Sequence, residues 1–463
     1  MPLEFDRAAA ALAPSREPSL AIATTEPALA AATQAVASTA PVRGRQESVT
    51  SGNFEWSNDG ERLSVNYRGD IEFSDDDTNV VRISPGGYLK IKDGGWVGGR
   101  TVEFRSDASG NLARRFWVGR NERPFEPEGR QWLAQTLPRF IRQTGLGAPK
   151  RVARILKANG PAGVLTEIGK IDGSWGKKVY FTELLRQATL DSQTARQVLL
   201  QAGREIESDF ELASLLIDSA DKLLVDESAR KAYFEAARSI DSDFEMRRVY
   251  ASALKRGPVG ASILAGILDS SQNIESDFEL ASLLVQVAKL QPLDDTTRRP
   301  FFAALTAIDS DFEHRRVLSA LAERRDLTPE SVGAMIGSAV DLQSDFELAT
   351  LLVQIVKDHG VEGAMRAPFF QAVASIDSSF ERGRVLQVLA RRSDVSPDTV
   401  LAILRAVQGM DSGHEASQVL LAVAGSHTIS GPARDAYIDA AEKLGDFEQG
   451  RVLSALVRSE RRK

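Results

Sequence analysis

The chain contains no cysteine. That excludes disulfides, thiolate metal sites and cysteine nucleophiles. Histidine is nearly as scarce: only His314, His359, His414 and His427 occur. None belongs to an H-E-x-x-H pair, because Gln418 stands where His414-Glu415 would need its second ligand. His414 instead replaces an aromatic in a repeated motif, and a structural role is expected for it. No stretch approaches the roughly 18–20 apolar residues of a membrane helix, so no membrane span is expected. Basic excess is also missing. The 57 Lys and Arg are outnumbered by 64 Asp and Glu, for a net charge of −7. Phosphate binding usually needs the opposite balance, which argues against nucleic acid as the main partner.

Motifs of catalysis are missing too. Gly169-Lys170 is followed by Ile171, so there is no phosphate-binding G-x-x-x-x-G-K-[ST], and no G-x-S-x-G elbow occurs. Gly94-Gly95-Trp96-Val97-Gly98-Gly99 leads into a strand pattern and reads as turns. Asp75-Asp76-Asp77-Thr78-Asn79 begins like a calcium loop, but Val80 and Gly86 stand where Gly and Glu are required, so a solvated turn is expected. The carboxylates recur at every repeat, whereas a catalytic dyad needs one pair in split environments. No metal or cofactor is expected, and the chain is read as a non-enzyme.

The 463 residues are too many for one core, and the apolar and charged fractions, 43% and 26%, are those of a globular protein. Residues 1–48 are rich in Ala, Pro, Thr and Ser and read as a loose tail. The opening MPLEFDR places Glu4 and Asp6 where a secretory signal would be basic. The chain as written is expected to be soluble and cytoplasmic, or periplasmic if an anchor or signal lies upstream. Residues 49–122 alternate apolar and polar with period two, as in ERLSVNYRGDIEFS, with turn formers such as Asp59-Gly60 between the runs. They predict a small antiparallel β domain of five to seven strands. A connecting helix within 123–150 (EGRQWLAQTLPRFIRQ) is expected to cover one face.

Residues 151–463 carry the strongest signal. Ser-Asp-Phe-Glu returns with its Phe at 210, 244, 278, 312 and 346, and as Ser-Ser-Phe-Glu at 380, always 34 residues apart. His414 takes the next place and Phe447 follows; Trp175 is a weaker copy before Phe210. Such a fixed period means stacked repeats. The motif residues are Ser208, Phe210 and Glu211; Ser242, Phe244 and Glu245; Ser276, Phe278 and Glu279; Ser310, Phe312 and Glu313; Ser344, Phe346 and Glu347. Each set reads as a capping box: the Ser oxygen takes the Glu amide and the Glu carboxylate reaches back to the Ser amide. Asp311 and its counterparts fall in the first turn, where the helix dipole favours them. The Phe residues are expected to pack between layers. A second helix completes each repeat, so the fold class is α+β, a β domain followed by an αα-solenoid of helical hairpins. A longer period of 68 separates Tyr233-Phe234, Phe301-Phe302, Phe369-Phe370 and Tyr437-Ile438. The 34-residue length equals that of tetratricopeptide repeats, but their W-x-x-L-G-x-x-Y opening is missing.

GNFEWSNDGERLSVNYRGDIEFSDDDTNVVRISPGGYLKI, RRFWVG, PFEPEGRQWLAQTLPRFIRQTG and the SDFE helices together resemble an uncharacterised bacterial family. Its members are similar to the C-terminal regions of some BlaR1/M56-type membrane metallopeptidase receptors. The resemblance spans about residues 50–460 and implies at most a sensory or interaction module near the bacterial envelope. This chain has neither the membrane helices nor the zinc motif of such receptors.

The candidate binding residues are Arg248, Arg316, Arg384 and Arg451, at one repeat position, widened by Arg247 and Arg315. A row of guanidinium forks suits acidic peptide, phosphorylated segments or anionic glycans. The competing reading is that they pair with Glu of their own helix or with capping Asp residues. Trp56, Tyr67, Tyr88, Trp96 and Trp117 form a second lead in the β domain. The function expected is a non-enzymatic protein-binding scaffold or adaptor, whose partner is another protein or peptide, an acidic one among the candidates. The alternatives are a sensory module of an envelope signalling system and an enzyme with an unrecognised site.

Overall fold

The computed structural model describes residues 51–58, 61–94, 98–255 and 257–461; the side chains of 56–58, 61 and 62 lie outside the description. The tail expected over 1–48, the Asp59-Gly60 turn, Trp96 and the Trp56 side chain therefore lie outside the described residues. The chain is α+β and divides into two compact units, the first ending at Thr189 and the second beginning at Leu190.

Period-two alternation produces eight strands: β1 (Ser51–Asn58), β2 (Glu61–Arg68), β3 (Ile71–Phe73), β4 (Val80–Ile83), β5 (Tyr88–Asp93), β6 (Arg100–Ser106), β7 (Leu112–Val118) and β8 (Asn121–Arg123). Six form one antiparallel sheet in the order β1-β2-β5-β6-β7-β8, and β3-β4 is a hairpin set apart. Alternate residues Leu63, Val65, Leu89, Ile91, Val102, Phe104 and Phe116 are buried on one face. The helix α1 (Arg130–Thr144) covers that face, as its sequence predicts, with Trp132, Leu133, Leu137, Phe140 and Ile141 joining the same core.

Two further helices complete the first unit, α2 (Ala148–Ile168) and α3 (Ser174–Gln187). Trp175 at the start of α3 donates its indole N–H to the Thr144 carbonyl at 3.1 Å. Arg151 of α2 is buried and bridges Asp77 Oδ2 (2.7 Å) and Glu167 Oε1 (2.8 Å), and it donates to the Tyr180 hydroxyl at 2.9 Å. Arg154 adds a 2.8 Å contact to the same Asp77. The turn at 75–79 is thus not simply solvated. Asp77 is buried, holds φ at 59°, and anchors the β3–β4 hairpin to α2. Asp is one of the few non-glycine residues tolerating that conformation.

The second unit alternates two kinds of helix. It runs α4 (Ser192–Glu205), α5 (Asp209–Leu223), α6 (Glu227–Ala237), α7 (Asp243–Leu254), α8 (Ala261–Ser271), α9 (Asp277–Leu290), α10 (Asp295–Leu305) and α11 (Asp311–Ala322). It continues through α12 (Pro329–Ala339), α13 (Asp345–Asp358), α14 (Arg366–Ala374), α15 (Ser379–Ala390), α16 (Pro397–Val407), α17 (Gly413–Ser426), α18 (Pro432–Ala441) and α19 (Asp446–Glu460). Odd-numbered helices from α5 begin at the motif and stack on one another; even-numbered helices form the second layer. The 68-residue period belongs to that second layer. Tyr233, Phe301, Phe369 and Tyr437 are fully buried, and Phe301 and Phe302 meet edge-on at 5.4 Å. Where Phe234 fills the interface, Gly266 on α8 leaves room: an added Cβ would collide with its ring.

The motif chemistry is half as expected. Ser208, Ser242, Ser276, Ser310 and Ser344 cap their helices, each accepting the amide of the Glu three residues on at 3.4 Å. The return arm of the capping box is replaced. The Ser310 amide donates to Asp277 Oδ2 of the previous repeat at 2.8 Å, and the Asp309 amide to Asp277 Oδ1 at 3.2 Å. The same clamp runs from Asp209 to Ser242, Asp243 to Ser276, Asp311 to Ser344 and Asp345 to Ser378, at 2.7–2.8 Å. The recurrent Asp is therefore a joint between repeats as well as a dipole partner. This frees the Glu carboxylates for other work.

Opposite ends of the motif helices are tied as well. His359 Nε2 lies 2.7 Å from the Ala322 carbonyl and His427 Nε2 2.8 Å from that of Ala390. Arg324 and Arg392 reach the carbonyls of Ala288 and Val356 at 3.2 and 2.7 Å. Each satisfies a C-terminal carbonyl that the helix one repeat back cannot pair within itself.

Candidate interaction surface

The first turn of each motif helix presents its second residue away from the core. Phe210, Phe244, Phe278, Phe312, Phe346, Phe380 and Phe447 are therefore 48–72% exposed. The expectation that they pack between layers is wrong. The layers are filled instead by positions further along the same helices, such as Leu280, Ala281, Leu283 and Leu284. An exposed Phe needs no explanation singly; six at one position on successive stacked helices, with Phe447 following beyond His414, form an apolar row.

The arginines lie on that row. Arg248 sits 5.3 Å from the Phe210 ring, Arg316 5.2 Å from Phe278 and Arg384 5.3 Å from Phe346, each reaching back one repeat. Arg247 and Arg315 stack on Phe244 and Phe312 of their own helices at 5.3 and 5.4 Å. Such cation–π contacts cover one side of each ring. Arg451 departs from the series. The ring it would reach is replaced by His414, and Arg451 lies over its own Phe447 at 5.7 Å.

Their charges are largely used within the array. Arg248 pairs with Glu245 at 2.5 Å, Arg316 with Glu313 at 2.6 Å and Arg384 with Glu381 at 2.9 Å. Arg247 and Arg315 pair with Glu279 and Glu347 of the following repeat. Arg316 and Arg384 also donate to Ser282 Oγ (3.0 Å) and Thr350 Oγ1 (2.9 Å) one repeat back. Only Arg451 of the six candidates has no carboxylate partner among the described residues. Sequence reasoning located the row but not its occupants: the period gave the position, and the surface residue proved to be the Phe. The usable signal was its place two residues after the cap, outside the i, i+3, i+4 stripe set by the buried leucines.

Carboxylates without a cationic partner stand three residues before four of the row's Phe residues. Asp241, Glu275, Asp309 and Asp377 are exposed, immediately before the capping Ser, and pair with no cation among the described residues. Residues 190–463 carry 31 Lys and Arg against 42 Asp and Glu, a net charge of −11.

In the first unit, Tyr67 is buried and stacks on Phe54 at 6.2 Å. Tyr88 and Trp117 lie on the sheet's uncovered face beneath Arg105 (5.7 Å) and Arg115 (4.8 Å). In the second unit His314 is buried against Ser338 Oγ at 3.1 Å. Among the described residues no group of three or more His, Asp or Glu is placed to hold a metal, and no helix is long and apolar enough to cross a membrane.

No family model and no curated protein matches the chain. A solved structure described as "Computational Design of Self-Assembling Cyclic Protein Homooligomers" is similar at 13% identity, covering 70% of this chain and 98% of that one, with a TM-score of 0.11. A likeness that slight carries no argument about fold or function.

Proposed function

We propose that the chain is a non-enzymatic protein-binding scaffold that engages its partner along the phenylalanine row of the second unit. One observation carries this reading: seven motif Phe rings are about half exposed or more, at one position on stacked helices. Aromatic side chains are enriched where proteins bind, because they supply large contact area at small entropic cost. A stacked repeat presents such side chains at fixed intervals, which suits an elongated partner. The site differs from a catalytic one in that the same residues recur from repeat to repeat.

Photo-cross-linking tests the reading. A benzophenone amino acid is placed at Phe312 in the full chain, and as a control at Val225, which is 79% exposed away from the row. A discrete adduct from position 312 that is missing at 225, and that is competed by unlabelled wild-type protein, is the expected result. Equal labelling at both positions would sink the reading.

A further inference from the structure

We infer that the row's partner is an extended, cationic segment with a basic side chain about every third residue. This rests on the scaffold reading and specifies it. The arginine row by itself would suggest an acidic partner. The ion pairs remove that argument, since Arg247, Arg248, Arg315, Arg316 and Arg384 are already held by Glu279, Glu245, Glu347, Glu313 and Glu381. What the surface still offers is the other side of each Phe ring and the carboxylates of Asp241, Glu275, Asp309 and Asp377, which no cation holds among the described residues. An exposed ring with an unpaired carboxylate three residues before it at the same helix start can recognise Lys or Arg twice, by cation–π attraction and by a charge-assisted hydrogen bond. The surplus of 42 acidic over 31 basic residues in 190–463 favours the same sign of partner at long range.

The spacing follows from the stacking. Packed helix axes lie about 8–10 Å apart. An extended or polyproline II chain advances about 3.1–3.3 Å per residue, so about three residues span one repeat. Polyproline II also has three residues per turn and presents the same face to each successive ring.

The probe is a fluorescein-labelled peptide of about 18 residues repeating Ala-Pro-Arg, long enough for about six steps. Its comparisons are an Ala-Pro-Glu repeat and a peptide of the same composition with its Arg residues clustered at one end. Anisotropy titrations use the full chain. The Arg repeat is expected to bind at least ~10-fold tighter than the Glu repeat, and binding should weaken as salt rises. The triple variant Phe278→Ser, Phe312→Ser, Phe346→Ser should lose at least ~10-fold. A charge variant that leaves the rings intact (Asp241→Asn, Glu275→Gln, Asp309→Asn, Asp377→Asn) should bind more weakly and with a shallower salt dependence. Equal or tighter binding of the Glu repeat would overturn the cationic partner. If the Phe triple variant abolishes that binding, the scaffold reading stands alone. Equal binding of the clustered peptide would overturn the three-residue register. No binding by any peptide, together with no specific adduct at position 312, would reject both readings.

Discussion

The aspartate clamp has a natural control within the chain. At the joint between α13 and α15, Asp345 accepts the Asp377 amide at 3.1 Å and the Ser378 amide at 2.7 Å. At the next joint the clamp residue is Ser379. The Ser412 amide meets only Ser379 Oγ, at 3.4 Å. Substituting Ser379→Asp should restore the clamp, and Asp345→Ser should remove one. Hydrogen bonds to a charged group contribute about 1.5–3 kcal/mol each. Two such bonds set an upper range of about 3–6 kcal/mol. Both sites are only partly buried, so a freed amide regains water and much of that range is lost. About 2 kcal/mol is therefore expected for Asp345→Ser, and about 1–2 kcal/mol of gain for Ser379→Asp. With an unfolding entropy of about 2 cal/mol/K per residue over roughly 270 residues, 2 kcal/mol corresponds to about 3–4 °C in Tm if the array melts as one unit. Hydrogen exchange resolves the effect locally. The Asp411 and Ser412 amides should exchange faster than Asp377 and Ser378 in the wild type, and should slow in the Ser379→Asp variant. Unchanged exchange at Ser412 and a Tm within about 1 °C of wild type would refute the clamp as a stabilising joint.

Other consequences are open to test. Arg151→Met should destabilise the first unit by about 3 kcal/mol in calorimetry while the second unit's transition stays put. Burying a carboxylate without its partner costs about that much, although Asp77 keeps Arg154 and Glu167 keeps Arg142. Gly266→Ala should cost about 1–3 kcal/mol through the collision with Phe234, and Phe234→Leu in the same chain should recover part of it. The pH dependence has a defined sign at His314. Burial holds it below its ordinary value of 6.5, with Asp341 and Asp311 offsetting part of the shift. The unfolded chain therefore binds the proton first, so the stabilising contribution is present above pH 6.5 and is lost as pH falls below it. His314→Gln should flatten the decline in Tm on that side, and an unaltered slope would remove His314 as its source.

What could be read from sequence divides by physical cause. The 34-residue period specified the two-layer array, because a repeat cannot bury its apolar face without neighbours of the same kind. The alternation in ERLSVNYR and the helix over EGRQWLAQTLPRFIRQ placed the sheet core correctly, since one apolar face of each must find the other. The motif itself was read locally, and there the reading failed in two places. A capping box is an argument about one helix. It assigned the Ser310 amide to the Glu313 carboxylate of the same turn, and could not see that Asp277 reaches that amide from the repeat before. Once the clamp takes the amide, Glu279, Glu313 and Glu347 are released to hold arginines.

The phenylalanines are the second place. A recurring aromatic suggests a buried one, but burial on these helices is set by the leucine stripe, and Phe312 lies off it at 52% exposed. The arginine beside it then finds a ring on one side and a carboxylate on the other, Arg315 between Phe312 and Glu347. An arginine so placed contributes surface and orientation more than free charge, because its ion pair is formed whether or not a partner is bound. Replacing the arginines by glutamate therefore tests the array's internal ion pairs first and its binding second. Replacing the rings separates the two, because Phe278, Phe312 and Phe346 are more than half exposed and bury little of the core. A partner lost by ring substitution at unchanged Tm would place recognition on the aromatic row, whereas a fall in Tm matching the loss would make the row a stabilising seam between repeats.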